Sequence, residues 1–219
     1  MTVAEPAAEA EFPGFVWYTD EPDTAVPDSE PSGDGGAPGE LGLWVFILGD
    51  MTLFGAFFIV FVWENRNDRP TFAASAEHLH QSIGAVNTLV LLLSSYLVVI
   101  ALHAQRRGSA SLARAMLAGV VACALVFAAL KAVEYSMAIT SGHVVTTNMF
   151  WTFYFVLTGI HLVHVLVGAV MVTFWRRQCR GDHDASGARP FSEVAAVYWH
   201  MVDLLWVVIF TLLYLGCLA

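Results

Sequence analysis

Five apolar runs, at about residues 41–63, 83–103, 115–139, 149–174 and 196–218, occupy most of this chain. Each is close to the roughly 20 residues an α-helix needs to cross a ~30 Å hydrocarbon core. In hydrocarbon the backbone must satisfy its own hydrogen bonds, so runs of this length span as helices. A mean hydropathy of +0.63 and a charged fraction of 13% fit a polytopic membrane protein better than a soluble one. The expected fold class is all-α, a bundle of five transmembrane helices over residues 41–219.

Residues 1–40 are a different material. They hold ten Asp or Glu, no Lys or Arg, and many Pro, Gly and Ser, a composition expected to form a disordered acidic tail. The stretch lacks the basic start and apolar core of a signal peptide, so the first span is expected to insert directly. Its aromatic island Phe12-Pro-Gly-Phe-Val-Trp-Tyr18 is either a docking element or incidental.

The net charge of −9 speaks against nucleic acid as a partner, although ten of the 19 acids stand in the tail. Orientation is better read from Lys and Arg near the spans. With five spans, the tail shares a side with Arg106, Arg107, Arg114, Arg176, Arg177, Arg180 and Arg189, while the opposite side has Arg66 and Arg69. The amino terminus is expected in the cytoplasm and the carboxyl terminus outside. Cys123, Cys179 and Cys217 make no disulfide framework or Cys-x-x-Cys metal motif.

Ionisable side chains at membrane depth are expensive and mark function by default. Asp50 in the first span is either a proton-linked group or a helix–helix clasp. Asn87, Thr88, Ser94 and Ser95 in the second read as packing polar groups. In the third, Lys131 and Glu134 stand three apart and Tyr135 follows; they form either a neutralised structural pair or a lipid-headgroup or proton-entry site near the outer interface.

His161 and His164 lie three apart in the fourth span. No carboxylate or cysteine accompanies them at metal-ligand spacing, and a haem would need His200 as opposing ligand. In the fifth span His200 and Asp203 share a face, flanked by Tyr198, Trp199 and Trp206. Asp50, Glu134, His161, His164, His200 and Asp203 are expected to satisfy one another in one buried polar seam.

Four motifs stand in order on successive spans: Asn87-Thr88 with Ser94-Ser95; Phe127 through Lys131-x-x-Glu134-Tyr135; His161-x-x-His164-x-x-x-Gly168; and Tyr198-Trp199-His200-x-x-Asp203-x-x-Trp206. In this pattern residues 39–219 resemble subunit III of the haem-copper oxidases, in the five-span form without the two leading helices. Gly49-Asp50 stands where the cytochrome c oxidase branch usually has Ser-Glu, and Lys131 where it commonly has Gln. The string Gly39-Glu-Leu-Gly-x-Trp44-x-Phe46-Ile-x-Gly49-Asp50 looks more like the branch encoded with nitric oxide reductase, and quinol-oxidase relatives also use Asp at this position.

The resemblance implies a non-catalytic subunit of a cytochrome c oxidase or nitric oxide reductase complex in a bacterial inner membrane. It implies partners in the catalytic haem-copper subunit, the other subunits and membrane lipids, with phospholipid in a groove between two helix groups. Haem and copper are expected only in the catalytic subunit, and no cofactor on this chain. Support of proton uptake and protection from turnover inactivation are implied too, with Asp50 at the position of a carbodiimide-reactive acid. Lys131, Tyr135, Tyr198, Trp199 and Trp206 are candidates for lipid or interface contact. Independently, a haem-copper centre needs about six histidine ligands, and only His161, His164 and His200 stand clearly at depth. The rival readings are a standalone transporter, which predicts repeats and broken helices, and a b-type cytochrome.

Overall fold

The computed structural model describes residues 38–179 and 185–217, with side chains at residues 38–41, 43 and 185–190 left aside. The acidic tail expected over residues 1–40, its aromatic island and Arg180 lie outside the described residues, but for the last three tail positions, which begin a helix. Among the described residues every regular element is helical: α1 (Pro38–Asn67), α2 (Arg69–Ala76), α3 (Gln81–Arg106), α4 (Ala110–Thr140), α5 (Met149–Gln178) and α6 (Ala185–Phe210), which runs into a π-helical turn at Thr211–Leu215.

Five helices are long and apolar enough to cross a membrane, over Trp44–Asn67, Gln81–Arg106, Ala110–Thr140, Met149–Gln178 and Phe191–Leu215. Each expected span is present. The helices overrun the apolar runs because intrahelical bonding continues through the interfacial turns, where charged side chains reach water. The connection between the fourth and fifth apolar runs is shorter than the gap between those runs for this reason: α5 continues to Gln178 and α6 starts at Ala185. The short α2 has no counterpart in the expectation, since its eight residues carry no hydropathy signal.

Two glycines stop helices sharply. Gly108 and Gly142 have φ of 76° and 84°, a left-handed conformation that glycine adopts without a Cβ clash. After each, the chain closes the helix with two bonds: Gly108 N–H to Gln105 O and Ser109 N–H to Ala104 O, then Gly142 N–H to Ile139 O and His143 N–H to Ala138 O. At the start of α5, Asn148 Oδ1 accepts from Trp151 N–H at 3.0 Å, and its Nδ2 donates to Ser75 Oγ at 2.9 Å, tying α2 to α5.

The helices α3, α4, α5 and α6 pack on one another, with α6 the most enclosed: 56% of its apolar 18-residue stretch is buried, against 17% for α1. Small residues allow the close approach. A Cβ on Gly168 of α5 would stand 2.8 Å from the Trp199 ring of α6. Trp151, Trp175, Trp199 and Trp206 are fully buried.

Helix α1 leans on α5 and α6 and exposes much of its surface. Phe54 and Phe61 pack inward while Phe46 stays exposed, and Trp44 and Trp63 stand exposed toward its two ends, where indoles sit well at the headgroup level.

Candidate functional site

The polar side chains at depth form three separate groups rather than one seam. On a helix, positions three apart diverge by about 60°. His161 therefore faces the Phe127 and Trp206 rings of α4 and α6, whereas His164 faces α1.

The first group lies between α1 and α5. Asp50 Oδ2 is 3.4 Å from His164 Nε2, and both side chains are 14% exposed. His164 Nδ1 lies 2.8 Å from the Ile160 carbonyl, which can only accept, so that nitrogen carries a hydrogen. The other nitrogen, Nε2, faces Asp50, whose Oδ2 makes no well-formed hydrogen bond. The Phe54 ring lies edge-on to the imidazole at 5.5 Å, and Tyr198 OH donates to the His164 carbonyl at 3.3 Å.

The second group lies toward the opposite end of the bundle. Lys131 is wholly buried, and its three ammonium hydrogens have three acceptors: Glu134 Oε2 at 2.9 Å, Tyr154 OH at 3.2 Å and Tyr214 OH at 3.2 Å. Tyr214 OH donates to Glu134 Oε1 at 2.5 Å. Rings of Tyr135, Tyr154, Trp206 and Tyr214 surround the ammonium at 4.8–5.9 Å. A buried ion pair repays its desolvation only when its remaining hydrogen-bonding capacity is filled, and the two phenols fill it, with cation–π attraction added. Tyr135 itself pairs with Thr158 Oγ1 at 2.7 Å.

The third group joins α3 to α6. Ser95 Oγ meets His200 Nδ1 at 2.6 Å, Trp199 Nε1 donates to Ser94 Oγ at 3.0 Å, and Trp206 Nε1 donates to Thr88 Oγ1 at 3.1 Å. Asp203 is buried near Ser95, yet neither of its oxygens has a well-formed hydrogen bond. The nitrogens of His161 and the amide of Asn87 likewise lack protein partners.

Two expectations change accordingly. His161 and Asp203 are not satisfied by the other ionisable groups: His161 stands between the Phe127 and Trp206 rings, and Asp203 lies near Ser95 and Cys123. Lys131, Tyr198, Trp199 and Trp206, expected as lipid or interface residues, are enclosed by the chain's own helices. Tyr154 and Tyr214 are the residues that sequence reasoning missed. Tyr154 stands four before Thr158 and seven before His161 on the inner face of α5, the one signal that could have found it. Among the described residues, no three His, Cys, Asp or Glu side chains converge as a metal site would require.

The fold defines a multi-pass integral membrane protein whose interior polar groups lie between its own helices. The sequence profile of the family described as Cytochrome c oxidase subunit III matches residues 36–217. The chain is 28% identical over 177 residues to cytochrome c oxidase subunit 3 of Thermostichus vulcanus, covering 80% of this chain and 86% of the relative. It is 30% identical over 185 residues to quinol oxidase subunit 3 of Bacillus subtilis (strain 168), covering 80% and 85%. A probable quinol oxidase subunit 3 of Staphylococcus aureus (strain USA300) is 28% identical over 178 residues, covering 80% and 88%. The chain belongs to the cytochrome c oxidase subunit III family, whose members are accessory membrane subunits of haem-copper oxidases and associate with the other subunits of the complex.

Proposed function

We propose that this chain supports proton uptake by, and prolongs the working life of, a haem-copper enzyme whose haem and copper sit in the catalytic subunit. The observation that carries this reading is the Asp50–His164 contact. It sets a carboxyl beside an imidazole where α1 meets the bundle, so a change of charge there bears on both proton exchange and helix attachment. The largely exposed flanks of α1 support a phospholipid-lined groove beside it.

The orientation with the amino terminus in the cytoplasm of a bacterial cell rests on basic residues. Arg106, Arg107, Arg114, Arg176 and Arg177 cluster at the helix ends on one side, against Arg66 and Arg69 on the other. Oxygen is the favoured terminal acceptor, since the named relatives are oxidase subunits. Nitric oxide is the second reading, favoured by the Gly39–Asp50 string.

The test is isolation of the complex from native membranes through a tag on this chain. The reading expects a haem-bearing partner that consumes oxygen, or nitric oxide on the second reading, and loses activity sooner during turnover when this chain is stripped away. A Soret band on the isolated chain would instead make it a cytochrome. Purification without a haem partner would favour a transporter.

A further inference from the structure

A second carboxyl is set apart from the Asp50 pair. Glu134 is 2% exposed, yet it lines a cavity of about 60 Å³ whose other walls include His78, His80, Ser141, His143 and Tyr154. At ~15 Å³ for each water centre, this space accommodates about four waters. It is rimmed by side chains that water favours. His78 and His80 are exposed where α2 leads into α3, and His143 follows α4. The His78 and His143 rings lie 5.0 Å apart, and His143 stacks on Trp151 at 4.5 Å. The His78 ring is anchored through Nδ1 to the Ala74 carbonyl at 2.8 Å, which leaves Nε2 for other partners. Hydrogen-bonding groups thus run from the helix ends inward to the Lys131–Glu134 pair.

We propose that Glu134 is a proton-exchange site, reached by water through this histidine-rimmed cavity from the membrane face opposite the amino-terminal end of α1. In the exchange one proton passes from the aqueous phase to a Glu134 carboxylate oxygen, making a carboxylic acid, and returns by the same route. No other bond changes. The groups facing the carboxyl are Lys131 and Tyr135 on its own helix, Tyr154 on α5, Tyr214 beyond α6, and His78, His80 and His143 around the cavity. The ammonium keeps partners in both states. When Glu134 takes up a proton, Lys131 retains two phenol oxygens and four aromatic rings, so the cation is not left bare. This site stands in the opposite half of the bilayer from Asp50 and does not depend on the role proposed for that residue. Asp50 is six residues from the start of its span and Glu134 six from the end of its own, about 9 Å in each case at 1.5 Å per residue.

The intact complex, reconstituted in phosphatidylcholine vesicles, supplies the test. Infrared difference spectra of the complex before and after transfer to D₂O will contain a shifting carboxyl band that Glu134→Gln removes. Ala138→Phe, one turn along α4 at the cavity wall, will slow that shift by an order of magnitude. A second measurement does not depend on assembly of the Glu134→Gln variant. A membrane-impermeant thiosulfonate added on the cavity side will modify Ala138→Cys at least an order of magnitude faster than Val133→Cys, whose position is half exposed on the outside of the same helix. A Glu134 carboxyl that does not exchange with D₂O, or equal labelling of the two cysteines, overturns the proposal.

Discussion

His164 holds its Nε2 3.4 Å from Asp50 Oδ2 while its Nδ1 is committed to the Ile160 carbonyl at 2.8 Å. With Nδ1 committed, Nε2 is the nitrogen that faces the carboxyl, and this contact joins α1 to α5.

Asp50→Asn removes the ionisable carboxyl but keeps the size and polarity of the side chain. Assembly of the complex is expected to stay near normal, because the amide fills the same space beside the imidazole. Proton uptake will slow, or turnover-dependent inactivation will quicken several-fold. Stopped-flow proton uptake and the decay of activity during turnover check both. Wild-type behaviour in the two assays removes the functional role of Asp50.

Lys131→Met strands a buried carboxylate. Breaking a buried pair at one partner costs at most roughly 3–5 kcal/mol, and less once the carboxyl takes up a proton from the adjoining cavity, so the yield of folded subunit in membranes is expected to fall. Lys131→Met combined with Glu134→Leu will recover most of it, since an apolar replacement of both partners can be near neutral. Lys131→Gln, which still donates to Glu134, will fall between the two. Thermal inactivation of the solubilised complex ranks all three.

Gly168→Ala drives a methyl into the Trp199 ring, at 2.8 Å from the nearest ring atom. Overpacking of this kind costs about 1–3 kcal/mol, which will appear as a lower melting temperature. Gly159→Ala on the same helix, where the nearest neighbour is Tyr135 OH at 3.9 Å, will be neutral or mildly stabilising. Equal effects of the two substitutions would contradict the close approach of α5 and α6.

His200→Leu and Asp203→Leu should part company despite their shared helix. Removing His200 costs its bond to Ser95, about 1 kcal/mol. Removing Asp203 deletes a buried carboxyl that has no well-formed partner, so the subunit is expected to be as stable or more stable. Denaturation midpoints of the two variants decide it.

Burial pushes the Cys217 thiol up to about 11 and also raises Cys179, where Arg114 partly offsets the rise. A raised thiol value lowers the thiolate fraction at neutral pH, and the thiolate is the reactive form. Alkylation of Cys217 near pH 8 is expected to be slow and to accelerate as pH climbs toward 11; a rate already at its plateau at pH 8 would contradict the burial.

How much of this was legible follows from what each pattern encodes. The five spans were readable because twenty apolar residues in lipid have one backbone solution. Lys131 and Glu134 were readable as a pair because both sit on one helix. The partners Tyr154 and Tyr214 were not, since helix periodicity gives the face of a residue but not the neighbouring helix that face will meet. The same gap merged Asp50 and His164 with His161, Asp203 and Glu134. All are inward ionisable groups, and depth plus face does not separate an α1 neighbour from an α6 one. Helix α2 and the cavity beside it arise from a polar connection whose eight helical residues carry no membrane signal.

Helix α1 carries an indole toward each end, Trp44 and Trp63, nineteen residues apart, or about 28 Å along the axis. That span works as a gauge of bilayer thickness. In a thinner membrane the helix must lean to keep both indoles at the headgroups, and because it is the least enclosed of the five, the lean pivots on its few contacts and pulls Asp50 away from His164. The lipid composition of the host membrane thereby sets the geometry of a carboxyl–imidazole contact from outside the protein.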